Sequence, residues 1–292
     1  MRDGLFRTIL ILMHAAALFV FISVLAAGLE YYKLPLSGRP HSEMHASLKP
    51  GGTWSHGLGI TGSMMILLLF LYSARKKRLF GLRWGPVGRW LNVHIFFGIA
   101  GPLFVTLHSA FKFNGIVSVS YFSMMAVMLS GVFGRYIYIQ IPRDRKGTAL
   151  SLDEIRRRDE EIAGTLAKIH GLPEDVLARV SDVSNIGLHA HESGLRAVGA
   201  ALIHDLTLPY RLGRLRRYVR LRGKDLPPRV VREIVGLARE KAVLKRRIAL
   251  SNSMTRVLHM WHVVHRPFAY VMVVIMFVHI AVAVAFGYRW IF

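Results

Sequence analysis

Four histidines carry the clearest chemical signal in this chain. His94 and His108 stand 14 residues apart, and so do His265 and His279. On an α-helix, 14 residues rise about 21 Å and turn through roughly 1,400°, some 40° short of four full turns. Each pair therefore lies on one helix face, with its members about four turns apart. Neutral imidazole is a common metal ligand. Two helices that each present such a pair offer two sites, each with one imidazole from either helix. Haem iron with two axial imidazoles takes this arrangement, and helix bundles build cofactor sites from side chains on facing helices. Among 14 histidines, one coincident spacing is easily reached by chance. Two equal spacings are much harder to obtain, and they assign His94 with His265, and His108 with His279, as metal ligands.

The elements that must position these side chains are apolar. A bilayer-spanning helix needs roughly 20 mostly apolar residues. Residues 8–29, 54–74, 87–111, 116–141 and 263–286 meet that requirement. The first run is too long for a secretory leader and is read as a span. The fold expected is all-α and integral to the membrane: five spans, a four-helix bundle holding two haems, and a helical cytoplasmic insert. Its segments are 1–141 with the first four spans, 142–261 as the insert, and 262–292 with the fifth span and a short outer tail. Basic residues set the orientation. Arg75, Lys76, Lys77, Arg78, Arg83 and Arg89 crowd the link between spans two and three, and the insert carries 24 basic against 14 acidic residues. Residues 30–53 carry three basic and two acidic residues. The N-terminus is thus expected in the cytoplasm and the C-terminus outside, in a cell (inner) membrane. Spans three and five then run in the same direction, so His94 and His265 share the inner depth, and His108 and His279 the outer.

Composition narrows the chemistry further. The chain of 292 residues is 53% hydrophobic and only 19% charged, with a formal charge of +22 and mean hydropathy +0.37. Soluble domains are nearer a quarter charged, which argues against an ordinary soluble enzyme. There is no cysteine, which excludes disulfides, covalently attached c-type haem, Cys-ligated iron–sulfur clusters and thiol catalysis. The positive charge concentrates in residues 206–258, with 15 basic and three acidic residues immediately before span five. Anionic headgroups at the cytoplasmic face are the expected partner of that stretch, with docking of an acidic subunit as the other reading. No recognition motif for nucleic acid accompanies it. Within the insert, Ser151-Leu-Asp-Glu154 reads as a capping box. Pro173 and Pro228 suit the first turns of later helices, with Gly171 and Gly223 closing the preceding ones.

Further residues fit the same site. Gly98 and Gly101 lie between the two histidines of span three, where a bare backbone admits a porphyrin or, equally, a neighbouring helix. Pro102 is expected to kink that span. Arg89, Arg135 and Arg266 sit near the inner boundary, where haem propionates need cations, and Lys112 is the cation evident at the outer one. His262 points about 100° away from the face shared by His265 and His279, so His265 is the preferred ligand and His262 a partner for a propionate or a quinone. The letters Gly57-Leu-Gly59-Ile-Thr-Gly62 match a dinucleotide fingerprint but fall inside a span with no βαβ unit. Those glycines and His56 are expected to let span two pack closely. His14, His41, Glu43 and His45 have no assigned role, and a solvated polar loop is favoured over a metal or quinol site around the last three.

Laid out in this way, the chain resembles a transmembrane di-haem b-type cytochrome, the membrane haem core of cytochrome b subunits and ferric reductase-like proteins. In those families the ligands come from two helices separated by a non-ligating one, as spans three and five are here. The resemblance implies two non-covalent b haems, one near each face, and electron transfer across the bilayer as a subunit of an oxidoreductase complex. Partners implied are redox subunits (multihaem or iron–sulfur) or quinol. The flavin and nicotinamide domain of ferric reductases is not expected after the fifth span, and the long insert is foreign to both patterns. Two other readings remain open: a self-contained outer-face reductase of metal, quinone or oxygen, and a non-redox membrane scaffold or sensor.

Overall fold

In a bilayer an apolar segment finds no water to satisfy its backbone, so each N–H must bond within the segment, and a helix does this. The computed structural model describes residues 2–81, 84–141, 152–167, 174–184, 194–222 and 226–287. Among them there are helices and no strands. In chain order these are α1 (Arg2–Ala27), α2 (Leu29–Lys33), α3 (His45–Leu48), α4 (Thr53–Lys76), α5 (Val87–His108), α6 (Ile116–Gln140), α7 (Leu152–Ala167), α8 (Glu174–Ser184), α9 (Leu195–Arg222) and α10 (Pro228–Ala285). Short 3₁₀ turns occupy Arg39–His41 and Leu79–Gly81. Five stretches are long and apolar enough to cross a membrane: Gly4–Ala27, His45–Lys76, Val87–His108, Val117–Gln140 and Asn252–Ala285. The chain is a multi-pass membrane protein by that criterion.

The described residues pack into two units, Met1–Val132 with Val263–Phe292, and Phe133–His262. In the first unit α4 and α5 run antiparallel in close contact. Ser55 meets His108, Gly62 meets Gly101, and Leu69 meets His94, so each contact lies two helical turns from the next. Close approach depends on the glycines. A Cβ on Gly62 would lie 2.9 Å from the Gly101 carbonyl oxygen, and one on Gly101 3.2 Å from that of Gly62. Helices α4, α5, α6 and the last part of α10 meet around Ile66, Val105, Met124, Met272 and Met276. Ser120 on α6 donates to the Met272 carbonyl at 3.1 Å. Helix α1 lies against α5, with His14 edge-on to Phe96 at 4.9 Å. None of residues 4–27 is buried, and Phe19 is 71% exposed, as suits a helix solvated by lipid.

Two boundaries differ from expectation. Helix α5 stops at His108 rather than 111, because Ala110 and Phe111 take positive φ, 47° and 59°, a left-handed exit of the kind that ends helices. Arg39 holds that exit. The residue is 5% exposed, and its guanidinium donates to the carbonyls of Ala110 at 2.6 Å, Tyr32 at 2.9 Å and Leu34 at 3.1 Å. The fifth span, in turn, does not begin at 263. It is the end of a single 58-residue helix from Pro228. Hydropathy marks where the side chains become apolar, whereas a helix starts only where a backbone breaker allows, and Pro228 is such a start. Pro102 and Pro267 lie inside α5 and α10. Each removes the N–H that would bond the carbonyl four residues earlier, yet both helices continue through. Ser151, Pro173, Gly171 and Gly223 lie outside the described residues.

The second unit has its own core. Ile162 and Leu166 of α7, Val176 and Val180 of α8, Leu215 and Val219 of α9, and Ile234 and Ala238 of α10 are buried together. Arg158 pairs with Glu240 at 3.0 Å and Lys241 with Asp159 at 3.1 Å, tying α7 to α10. Beside a second apolar group around Ile137, Ala201 and Met254 sits a buried polar cluster. Asp205 pairs with Arg246 and accepts from Tyr136 at 3.0 Å and Gln140 at 3.2 Å. Arg246 also reaches His204 Nδ1 at 3.4 Å, which fixes any ring proton on Nε2. That atom is buried with no hydrogen-bond partner. Burial, then the charges of Arg246 and Arg211, push His204 down to about 4, although Asp205 lies 3.7 Å away. Arg246 pairs with that carboxylate and leaves little of its charge to act on the imidazole.

The unfolded chain therefore takes up a proton near pH 6.5 that the folded unit refuses until about pH 4. Stability of this unit is expected to fall as pH drops through that window, by up to about 3 kcal/mol. Hydrogen exchange of α9 amides across the pH range reads it, and His204→Gln should flatten the slope; an unchanged slope would assign it to another group.

Candidate functional site

The four ligand candidates are all half-buried in the first unit. Three are held by the same nitrogen. His108 Nδ1 lies 3.0 Å from the Ser55 carbonyl oxygen and His94 Nδ1 lies 3.1 Å from that of Leu69. A carbonyl can only accept, so both nitrogens carry the proton. His265 Nδ1 lies 2.7 Å from Ser130 Oγ. That hydroxyl donates to the Val127 carbonyl at 2.9 Å, which leaves it to accept from His265. Each of these rings thus donates from Nδ1, which makes Nε2 the nitrogen that carries the lone pair. Bonding one nitrogen to fix tautomer and orientation while the other ligates is how metal-binding histidines are held.

The acceptors on α4 repeat the ligand interval. Ser55 and Leu69 are separated by as many positions as His94 and His108, which they meet across the antiparallel contact. Gly59, one turn after Ser55, keeps that carbonyl accessible. A Cβ there would stand 2.5 Å from His108 Nδ1. Ser55 also donates its hydroxyl to the His108 carbonyl at 2.9 Å, so the end of α5 is held at both backbone and ring.

His108 and His279 approach each other, with ring centroids 6.3 Å apart and planes 65° apart. Two imidazoles bound through Nε2 to one metal, at about 2 Å each, have centroids about 6 Å apart. The His108–His279 separation matches that spacing, and so does the 6.1 Å between His56 and His108. For His94 and His265 the structure supplies the two anchors separately, and Tyr72 lies 5.1 Å from the His94 ring. Among the described residues no group of three or more His, Cys, Asp or Glu is arranged to hold a bare metal ion. A porphyrin supplies the remaining ligands itself, so two histidines per iron suffice.

The other predicted site residues separate. Gly101 is buried against α4, and a Cβ on Gly98 would touch Leu69 at 3.7 Å, so both face the neighbouring helix. The Gly57-to-Gly62 run does what close packing requires, through Gly59 and Gly62. Arg89 lies over the Phe6 ring at 5.4 Å and Arg135 over Tyr138 at 5.7 Å; Arg266 is exposed beside His265. His262 and Arg135 belong to the second unit, where His262 Nδ1 bonds the Leu258 carbonyl of its own helix at 2.8 Å. His14 bonds the Leu10 carbonyl at 2.7 Å and His45 the Tyr31 hydroxyl at 3.1 Å. Sequence reasoning missed Ser55, Leu69, Ser130 and Arg39. The one available signal was the matching interval on α4, visible only once its register against α5 is known.

No protein-family model, curated protein or solved structure matches the chain. The functional reading therefore rests on these residues.

In ¹⁵N-histidine-labelled protein, His94, His108 and His265 are expected to show the Nδ1–H tautomer by NMR. Gly59→Ala should break that pattern at His108 alone and destabilise the fold by about 1–3 kcal/mol. An undisturbed His108 in that variant would disprove the packing described here.

Proposed function

We propose that this protein is a di-haem b-type cytochrome that carries electrons across a bilayer between redox partners, as a subunit of a membrane oxidoreductase complex. One observation carries the reading: three of the four equally spaced imidazoles donate from Nδ1 and so carry their lone pair on Nε2, and the His108 and His279 ring centroids lie 6.3 Å apart. Haem supplies one-electron chemistry when bound. His94 with His265, and His108 with His279, would hold two such groups in separate layers, about 21 Å apart by the helix rise between the paired histidines. The chain's own part is to fix the ligands. Ser55, Leu69 and Ser130 orient three of the rings, and a hydrogen bond from Nδ1–H raises the basicity of Nε2.

The apolar walls around Ile66, Met124, Met272 and Met276 exclude water between the two layers. Arg89 and Arg266 are the candidate cations for the propionates of the layer nearer His94. The excess of basic residues around the α4–α5 link and in the second unit supports a cytoplasmic placement of that end. Donor and acceptor would be a quinol or the haem or iron–sulfur centres of neighbouring subunits.

Pyridine haemochrome analysis of the purified chain should give two haems b per polypeptide, with low-spin bis-imidazole signals by EPR. His279→Leu should remove one of them and His94→Leu the other, each halving the haem content. Protein that lacks b-type absorption, with correctly folded helices, would sink the reading and favour a membrane scaffold; turnover of a small acceptor without partners would favour a self-contained reductase.

A further inference from the structure

Helix α9 presents an apolar face that its own unit leaves uncovered. Its buried residues, Ala197, Val198, Ala201, His204, Leu208, Leu215 and Val219, look toward the core. On the opposite side Leu195, Leu206 and Tyr210 are 70 to 72% exposed, with Ile203 at 64% and Leu202 at 46%. At 100° per residue these five fall within roughly a 100° arc. Continuing the same side toward the C-terminus, Arg214, Arg217 and Arg220 are exposed and project within about 20° of that arc. One side of the helix is thus mainly apolar for its first four turns, with Arg196 at the margin, and mainly cationic for its last three, where Leu221 is also exposed.

A cleft between α8 and α9 borders this side. It is lined by Arg179, Asp182, Arg211, Arg214 and Tyr218. Arg211 donates to the carbonyls of Asp182 at 3.0 Å and Val183 at 2.8 Å, and Arg179 pairs with Asp182 at 3.4 Å. Three guanidinium groups face a single carboxylate, a balance suited to an anion such as a phosphate.

We propose that α9 lies in the membrane interface, its leucine and isoleucine face sunk among acyl chains and its arginines on anionic lipid headgroups. Three features select a lipid surface as the occupant. The exposed stripe pairs aliphatic side chains with a tyrosine at one edge, the composition of an interfacial helix. The charge beside it is positive, complementary to anionic phospholipid. And α10, which packs in the same unit as α9, runs on into an apolar segment long enough to span a bilayer. The inference is independent of haem binding and stands or falls separately from the redox reading.

The absence of native cysteine makes the test direct. A nitroxide is placed at Leu206→Cys or Leu202→Cys in the full chain, reconstituted in vesicles of phosphatidylcholine with phosphatidylglycerol. A third label at Glu160→Cys, exposed on α7, serves as the solvated reference. The α9 labels are expected to collide with oxygen in preference to a water-soluble nickel chelate, and the α7 label to do the reverse. Replacing Arg214, Arg217 and Arg220 by Gln, or omitting the anionic lipid, should shift the α9 labels toward nickel. The inserted population should fall about fivefold per arginine removed. Labels on α9 as open to nickel as the one on α7 would overturn the proposal, as would labels shielded from both reagents, which would mean that protein covers the face.

Discussion

The interaction on which the first unit depends is a hydrogen bond from an imidazole Nδ1–H on one helix to a main-chain carbonyl on the next. Within a bilayer no water relieves an unpaired ring N–H. A histidine there must find an acceptor inside the protein, on its own helix as His14 does with the Leu10 carbonyl or on a neighbouring one. Helix α5 finds acceptors on α4, where the second lone pair of the Ser55 and Leu69 carbonyls is available. The consequence is chemical as well as structural. With Nδ1 committed, the only basic site left on the ring is Nε2.

This bond requires short distances between helix axes, and short distances require missing side chains. Gly59, Gly62 and Gly101 supply them, and they stand where α4 and α5 touch. A run that matches a nucleotide-binding fingerprint by its letters is thus explained by helix packing, and the glycine spacing follows the contact rather than a phosphate. The same reasoning demotes Gly98 and Gly101 as walls for a porphyrin, since the volume they free is occupied by α4.

The second unit solves a different problem. It stands on its own apolar core, and its polar residues are organised around the buried Arg246 paired with the half-buried Asp205, together with Tyr136, Gln140 and His204. Removing Asp205 would leave the buried Arg246 charge uncompensated, which is strongly destabilising, so the cluster ties the end of α6 to the interiors of α9 and α10. What it does not commit is the outward face of α9, where apolar and basic surface remain side by side.

Much of the architecture could be read from residue types alone. The apolar runs foretold five spanning helices, and the helical character of the insert holds for its described residues, because hydropathy and helix rise are properties of local sequence that every helix shares. The twin histidine intervals are legible for the same reason. Pro228 was readable as a helix start, whereas the union of the insert helix with the fifth span into one 58-residue helix was not, since the change in hydropathy at its middle says nothing about the backbone. What only tertiary structure decided is which nitrogen of each ring is held and by what. The acceptors lie 25, 53 and 135 residues away in sequence, and Arg39 closes the end of α5 from 71 residues before it. Periodicity places a side chain on a face. The partner of that face is chosen by the register between helices, and register is set by glycine contacts and carbonyl positions that no single segment contains.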